Sequence, residues 1–386
     1  MELDLNDEQR MLHESALAWL AKEYAHPRRR EIAGSGGFSD TVWQEFAEMG
    51  WLAASLPEQH GGLGGGAAES FVLGEAFGSA LVLEPYLSTV VIGAGLIRRA
   101  GTAAQAAEYL PQVAEGRIKL AFAYAERHSR YSLSNVQTRA ERQGERWILH
   151  GYKAVVLDAP HADLLLVWAR TAGTATDPEG CALFLLDPRA VGVRLEVFPL
   201  IDQRPGAHVH FDHVAAVARL GDGDCPAATV QRALDEGCAY LAAEATGAMA
   251  AATTLSVGYM QERKQFGQTL STFQVLRHHV VDMHVQTECA RSLALHAAQS
   301  AAAQSPDLSR AAAAAKMYTG RHGRKVGELA VQIHGGMGMT DEMPVGHYLR
   351  RLLAADLALG NADHQLAAFA RLSVASGASS AARARA

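Results

Sequence analysis

The stretch RRLLAADLALGNADHQL (350–366) reads as a helix that breaks at Gly360-Asn361, with two carboxylates, Asp356 and Asp363, seven residues apart. Leu359 lies three residues after the first and four before the second. On a continuous helix both acids would flank it, at about 5–6 Å between Cβ atoms. A carboxylate so held can take a proton from a weakly acidic C–H; on an open surface it is only a solvated charge. Two more acids, Glu236 and Glu244, stand on an earlier apolar segment. A different chemistry is offered by YMQERKQFGQTLSTFQ (259–274), where Arg263, Gln265 and Phe266 precede Gly267. The guanidinium can neutralise a phosphate, the phenyl ring can stack on a flat ring, and the amide can bond polar edges. Alone, a basic helix end with a glycine stop is ordinary capping. In AVQIHGGMGMT (330–340), Gln332 is followed by Gly335 and Gly336, whose backbone N–H groups can approach a phosphate closely. Each motif is weak by itself. In order, about 70 residues apart in one helical region, they reinforce each other.

Other chemistries find less support. His208 and His210 share a strand face with His213 near, yet no carboxylate stands at ligand spacing beside them, so no metal is expected. His278, His279 and His284 read as solvated or core-edge residues. The glycine loop 61–66 follows no strand and is no dinucleotide fingerprint. No G-x-S-x-G occurs, and nothing supports a Ser or Cys nucleophile.

The elements that must position these residues change in texture along the chain. Residues 1–118 carry helical spacing, with Asn6 or Asp7 as a first cap and Ser39 or Asp40 as a second. Residues 119–225 hold short apolar runs, among them Trp147-Ile148-Leu149 and Val155-Val156-Leu157, divided by Gly, Pro and Asp. They predict a compact antiparallel β domain. Residues 226–375 return to long helices, with Leu276, Val280, Met283, Thr287, Ala290 and Ala294 forming a bundle seam. A helix is expected to run to Phe266 and a new one to begin near Ser271. Residues 376–386 form a loose tail. The fold class is α+β with segregated layers.

Composition bounds the partners. With 386 residues, 49% apolar, the chain can bury two or three cores, and a net charge of −6 gives no reason to expect nucleic acid. Four cysteines without a CxxC pair, and an acidic start without a leader pattern, point to a reduced cytoplasmic protein. The span 241–260 has membrane length but is Ala- and Thr-rich and holds Glu244, so it reads as a buried helix.

Taken with LNDEQRML, WQEFAEMGWLAASLPEQHGGLGGG and WILHGYK, the two glycine-ended motifs resemble the acyl-CoA dehydrogenase family over essentially the whole length. HYLRRLLAADLALGNADHQL and GSALVLEPYLSTVV are closer still to the small-subunit type of pimeloyl-CoA dehydrogenase. The resemblance implies an N-terminal helical domain, a central β domain and a C-terminal four-helix bundle. It implies FAD shared across a subunit interface, an acyl-CoA substrate, and electron-transfer flavoprotein as acceptor. It assigns Arg263, Gln265, Phe266, Gln332, Gly335 and Gly336 to the pyrophosphate and adenine end of a neighbour's FAD.

The ring-facing pattern of the family is altered. Ala125 and Tyr131 stand at its Thr and Ser positions, and Val155-Val156-Leu157 replaces Trp-Ile-Thr. The usual base position holds Leu359, and the alternative one, 26 residues before Arg263, holds Gly237. Glu236 adjoins Gly237 but points about 100° away, and Glu244 lies two turns along the same face. Three readings follow. The chain is a base-lacking accessory subunit paired with a large acyl-CoA dehydrogenase subunit; or a homomeric enzyme, dimer or tetramer, with a shifted base among Asp363, Asp356, Glu236 and Glu244; or a non-redox acyl-CoA-binding protein.

Overall fold

A computed structural model describes residues 5–383, with side chains as far as Val374. Residues 1–4, part of the start expected to carry no leader pattern, and residues 384–386 of the tail lie outside the described residues. Helices α1 (Asp7–Glu23), α2 (His26–Gly34), α3 (Asp40–Glu48), α4 (Ala67–Ala80), α5 (Ala94–Ala100) and α6 (Ala103–Ala114) come first. Asn6 caps α1 in a reciprocal box with Gln9, and the Ser39 hydroxyl accepts the Val42 N–H at the start of α3. Strands β1 (Leu120–Ala123), β2 (Arg139–Gln143), β3 (Arg146–Leu157), β4 (Leu164–Arg170), β5 (Cys181–Leu186), β6 (Val193–Pro199), β7 (Pro205–Ala215) and β8 (Ala218–Leu220) follow. The chain then enters α7 (Ala227–Glu262), a hairpin of β9 (Lys264–Gln265) and β10 (Gln268–Thr269), α8 (Gln274–Ala302), α9 (Leu308–His334), α10 (Val345–Leu357) and α11 (Ala362–Arg383).

Contacts divide the chain into two compact units. One holds residues 31–66 and 83–237 and is built on an eight-stranded sheet in the order β6-β7-β3-β2-β4-β5-β8, with β1 beside β4. The sheet is mixed rather than wholly antiparallel, since β1 and β2 each pair with β4 in parallel. The runs Trp147–Leu149 and Val155–Leu157 belong to one strand, β3, because bulges against β7 absorb the interruptions. Its core is apolar, with Leu149, Val167, Phe184 and Val209 fully buried.

The other unit holds residues up to 30, 67–82 and 238 onward. Small side chains let its helices approach closely: a Cβ on Gly78 of α4 would stand 1.8 Å from the Glu244 carbonyl oxygen of α7. Met283, Ala290, Val326, Ala330 and Leu352 form the bundle core. Among the described residues no helix is long and apolar enough to cross a membrane, and Glu244 is fully buried. The segment expected as a loose tail continues α11 as far as Arg383.

Candidate functional site

The helix expected to reach Phe266 stops earlier. α7 closes at Glu262, and the Arg263 N–H caps it on the Tyr259 carbonyl at 2.8 Å. The two-residue strands β9 and β10 then pair across a turn in which both Phe266 (φ 55°) and Gly267 (φ 80°) are left-handed, the geometry of a type I′ hairpin. A phenylalanine with positive φ is a strained choice. The residue is 89% exposed and its ring meets the edge of Phe273, with centroids 6.1 Å apart. The Gln265 side chain donates to the Lys264 carbonyl at 2.8 Å. At the end of α9, Gly335 takes φ 60° and opens a 3-10 turn through Met339.

The two motifs meet through a contact that spacing does not announce. The Tyr259 ring stacks on His334 with centroids 4.4 Å apart, so Arg263 and Gly335 leave neighbouring helix ends. His334 Nδ1 bonds the Ala330 carbonyl at 2.8 Å, while its buried Nε2 has no partner. Arg263, Gln265, Gln332, Gly335 and Gly336 are all exposed. A Cβ on either glycine would meet nothing within 4 Å, so the backbone is uncovered here, while the Gly335 N–H itself caps α9 on the Gln332 and Val331 carbonyls.

The region around Leu359 is closed by packing. α10 ends at Leu357, before the expected Gly360; Ala358 is extended and Leu359 takes φ 57°. Asp356 and Asp363 therefore stand on different helices, not on one continuous face around Leu359. The break is fixed from α9: fully buried Lys316 donates to the Asp356 carbonyl at 2.9 Å and the Gly360 carbonyl at 3.0 Å. Burial pushes its pKa down to about 8. Gln365 holds the Leu359 carbonyl at 2.9 Å. The Leu359 side chain packs on the apolar cluster of Cys238, Ala301, Leu308 and Ala312.

Each of the four acids near the base positions has a named partner. Asp356 Oδ1 accepts the Ala362 N–H at 2.9 Å, at the start of α11. Asp363 is exposed and pairs with Arg321 at 3.0 Å. Glu244, fully buried, receives Arg351 in two bonds of 2.8 and 2.6 Å. Glu236 pairs with Arg99 and lies 3.8 Å from Arg98; burial raises its pKa despite these cations.

In the sheet unit, the positions that resemblance assigns to the flavin ring hold no polar side chain at Ala125, Val155 or Leu157. Val155 (φ 49°) sits in the second β3 bulge, and its N–H donates to His208 Nδ1 at 3.2 Å. The Ala125 carbonyl accepts the Ala154 N–H at 2.8 Å. Beneath them Lys153 and Glu126 form a buried ion pair at 2.7 Å, with Glu126 also accepting the N–H groups of Gln137 and Thr138. Sequence reasoning passed over this pair, as it did Lys316, although a lone lysine in an alanine-rich helix (AAAAAKMY) is a readable signal. At Ala125, Val155 and Leu157 no side chain can donate or accept a hydrogen bond.

Comparison with known proteins agrees with the architecture. Sequence models of the acyl-CoA dehydrogenase N-terminal, middle and C-terminal domains match residues 6–117, 121–214 and 227–373. The chain is 28% identical over 378 residues to the probable acyl-CoA dehydrogenase YngJ of Bacillus subtilis, covering 96% of this chain and 99% of that one. It is 27% identical over 352 residues to the caffeyl-CoA reductase-Etf complex subunit CarC of Acetobacterium woodii, covering 89% and 92%. A solved variant of the Tcur3481-Tcur3483 steroid ACAD superposes with a TM-score of 0.86 at 30% identity, over 97% of this chain and 99% of that one. With all three domain models in order and a relative at 30% identity matched over almost its full length, the chain belongs to the acyl-CoA dehydrogenase family of FAD-dependent oxidoreductases.

Proposed function

We propose that this chain is the base-lacking subunit of a heteromeric, cytoplasmic acyl-CoA dehydrogenase, of the pimeloyl-CoA dehydrogenase small-subunit type. It pairs with a large subunit, in a heterotetramer, and lends that subunit the phosphate and adenine contacts of its FAD. The observation that carries this reading is the contrast within one unit. Leu359 fills the base position and packs on Cys238 and Leu308, while Arg263, Phe266, Gln332 and Gly335 stay exposed around the Tyr259–His334 stack. The name Tcur3481-Tcur3483 joins two chains, and that of CarC an Etf complex, which supports a two-chain enzyme and electron-transfer flavoprotein as acceptor.

When bound, FAD supplies the two-electron acceptor for α,β-dehydrogenation of an acyl-CoA thioester. In this chain Arg263 would hold the pyrophosphate, Phe266 would cover a flat ring, and the uncovered Gly335-Gly336 backbone would let a phosphate come close. The carboxylate that takes the α-proton comes from the partner. The test is flavin stoichiometry. Purified alone, the chain should hold little FAD and oxidise no acyl-CoA; with its large subunit, flavin and turnover should appear together. In that complex Arg263→Ala should weaken FAD binding roughly tenfold to a hundredfold, with Arg263→Lys recovering only part. One FAD per chain and ordinary turnover without a partner would overturn the proposal and return attention to Asp363 and Glu236.

A further inference from the structure

Between the pairs Leu149–Val214 and Gly151–Phe211, strand β3 has one residue, His150, and β7 has two, Asp212 and His213. Such a two-against-one bulge gathers side chains from both strands at one point. Leu149, Phe211 and Val214 face the buried core, so the alternation of β3 sends His150 to the opposite face. His213 takes φ 54° at the bulge. Its ring stands edge-on to His150, with centroids 3.9 Å apart and planes at 84°. Its Nδ1 lies 2.7 Å from Asp212 Oδ1. One nitrogen from each imidazole and a carboxylate oxygen of Asp212 all fall within 4.8 Å of one another.

The bulge is held from its other side. The Asp212 N–H donates to the Gly192 carbonyl at 3.0 Å, and a Cβ on Gly192 would stand 2.1 Å from the Asp212 carbonyl oxygen. Arg139, the β2 neighbour of His150, directs its guanidinium to the Gly173 carbonyl at 3.1 Å. Sequence spacing had grouped His213 with His208 and His210, without an acid. The extra residue turns His213 and Asp212 toward His150 instead.

We propose that His150, Asp212 and His213 form a binding site for a divalent late transition metal ion of the zinc, nickel and copper class. Two imidazoles and one carboxylate are borderline ligands that favour these ions over magnesium or calcium, which want oxygen alone. Bonds of about 2.0–2.2 Å bring ligand atoms to roughly 3–4 Å from each other. Asp212 and His213 are exposed, so modest side-chain rotation reaches that spacing. Three protein ligands leave a position open to water or a small anion. The ion would tie β3 to β7 and is independent of any flavin.

The test uses the full chain, stripped with chelator and titrated with Cu(II), then separately with Zn(II). Electron paramagnetic resonance should show one Cu(II) per chain bound first, with coupling to two nitrogens, and Zn(II) should raise the midpoint of thermal unfolding. Losing a hydrogen-bond partner behind a ligand already costs on the order of 10–100-fold in affinity. His150→Gln or His213→Gln should therefore weaken the first equivalent at least that much, and Asp212→Asn should weaken it less. His284→Gln, on exposed α8, should change nothing. Circular dichroism checks each variant's fold, and the nitrogen coupling in the unaltered chain decides the question should one fail to fold. A first equivalent bound equally well by the His150→Gln/His213→Gln double variant, or no tight first equivalent at all, would overturn the site.

Discussion

Breaking the Glu244–Arg351 pair gives the sharpest check on how the acids of this bundle are used. Glu244 is fully buried and Arg351 5% exposed, and the two bonds between them, 2.8 and 2.6 Å, match the fork of the guanidinium to both carboxylate oxygens. Directly beside them α4 touches α7 backbone to backbone at Gly78. Arg351→Met removes the cation and leaves the carboxyl buried. Removing one member of such a pair costs about 3–5 kcal/mol, against a total stability of roughly 5–15 kcal/mol for a typical protein. Glu244→Leu removes the carboxylate that both guanidinium bonds reach and should cost a similar amount. The double variant strands nothing and should return to within about 1–2 kcal/mol of the parent, or exceed it. Urea unfolding followed by circular dichroism, carried through all four corners of the cycle, measures the coupling. The deficit of Arg351→Met should also shrink on acidification, because a protonated carboxyl is cheaper to bury. A loss below about 1 kcal/mol for Arg351→Met would show that Glu244 does not depend on this partner. The structural reading of that acid would then fail, and it would return to the list of possible bases.

Leu359→Glu should not restore dehydrogenation and should destabilise by about 1–3 kcal/mol, since the carboxylate would be set against Cys238, Ala301 and Leu308; acyl-CoA turnover and a thermal melt together check this. Asp356→Ala should cost about 1 kcal/mol through the unpartnered Ala362 N–H and leave the FAD content of the complex unchanged. His347 is buried, accepts from Arg29 and Arg350 at Nδ1, donates from Nε2 to the Asp341 carbonyl, and meets the His26 ring edge-on. Burial pushes its pKa down to about 4 from the ordinary 6.5, with Arg350, Arg29 and His26 adding to the shift. The unfolded chain therefore binds a proton there that the fold refuses. Stability should fall as pH drops from 6.5 toward about 4, by up to about 1.4 kcal/mol per pH unit. Urea midpoints should separate less between about pH 7.5 and 5 for His347→Gln than for the parent; equal separation would exclude His347 as the source.

Local chemistry was legible where a few adjacent residues decide the outcome. Asn6 and Ser39 cap helices because a short side chain with an acceptor does so wherever a helix follows. The glycine-ended motifs could be read as helix ends for the same reason. The hairpin between α7 and α8 was hidden, because two-residue strands have no period and phenylalanine is an unlikely occupant of a left-handed turn. The early stop of α10 was hidden too: Ala358 and Leu359 are good helix formers, and what breaks the helix is Lys316, about forty residues upstream. The same holds for the acids. Glu244 and Asp363 look available in sequence because their partners, 107 and 42 residues away, are brought to them only by the bundle. The β3 bulges were invisible, since their registers belong to the pairing with β7 and not to either strand alone.

Leu359 also bears on the history open to this chain. Its carbonyl, its left-handed backbone and its side chain are each spoken for, by Gln365, by the Lys316-held break and by the cluster around Leu308. A change to glutamate would meet all three commitments at once. Each of these neighbours would have to shift to admit a carboxylate there. On the proposed reading the leucine works as a ratchet, because a proton acceptor at this position needs several coordinated changes rather than one.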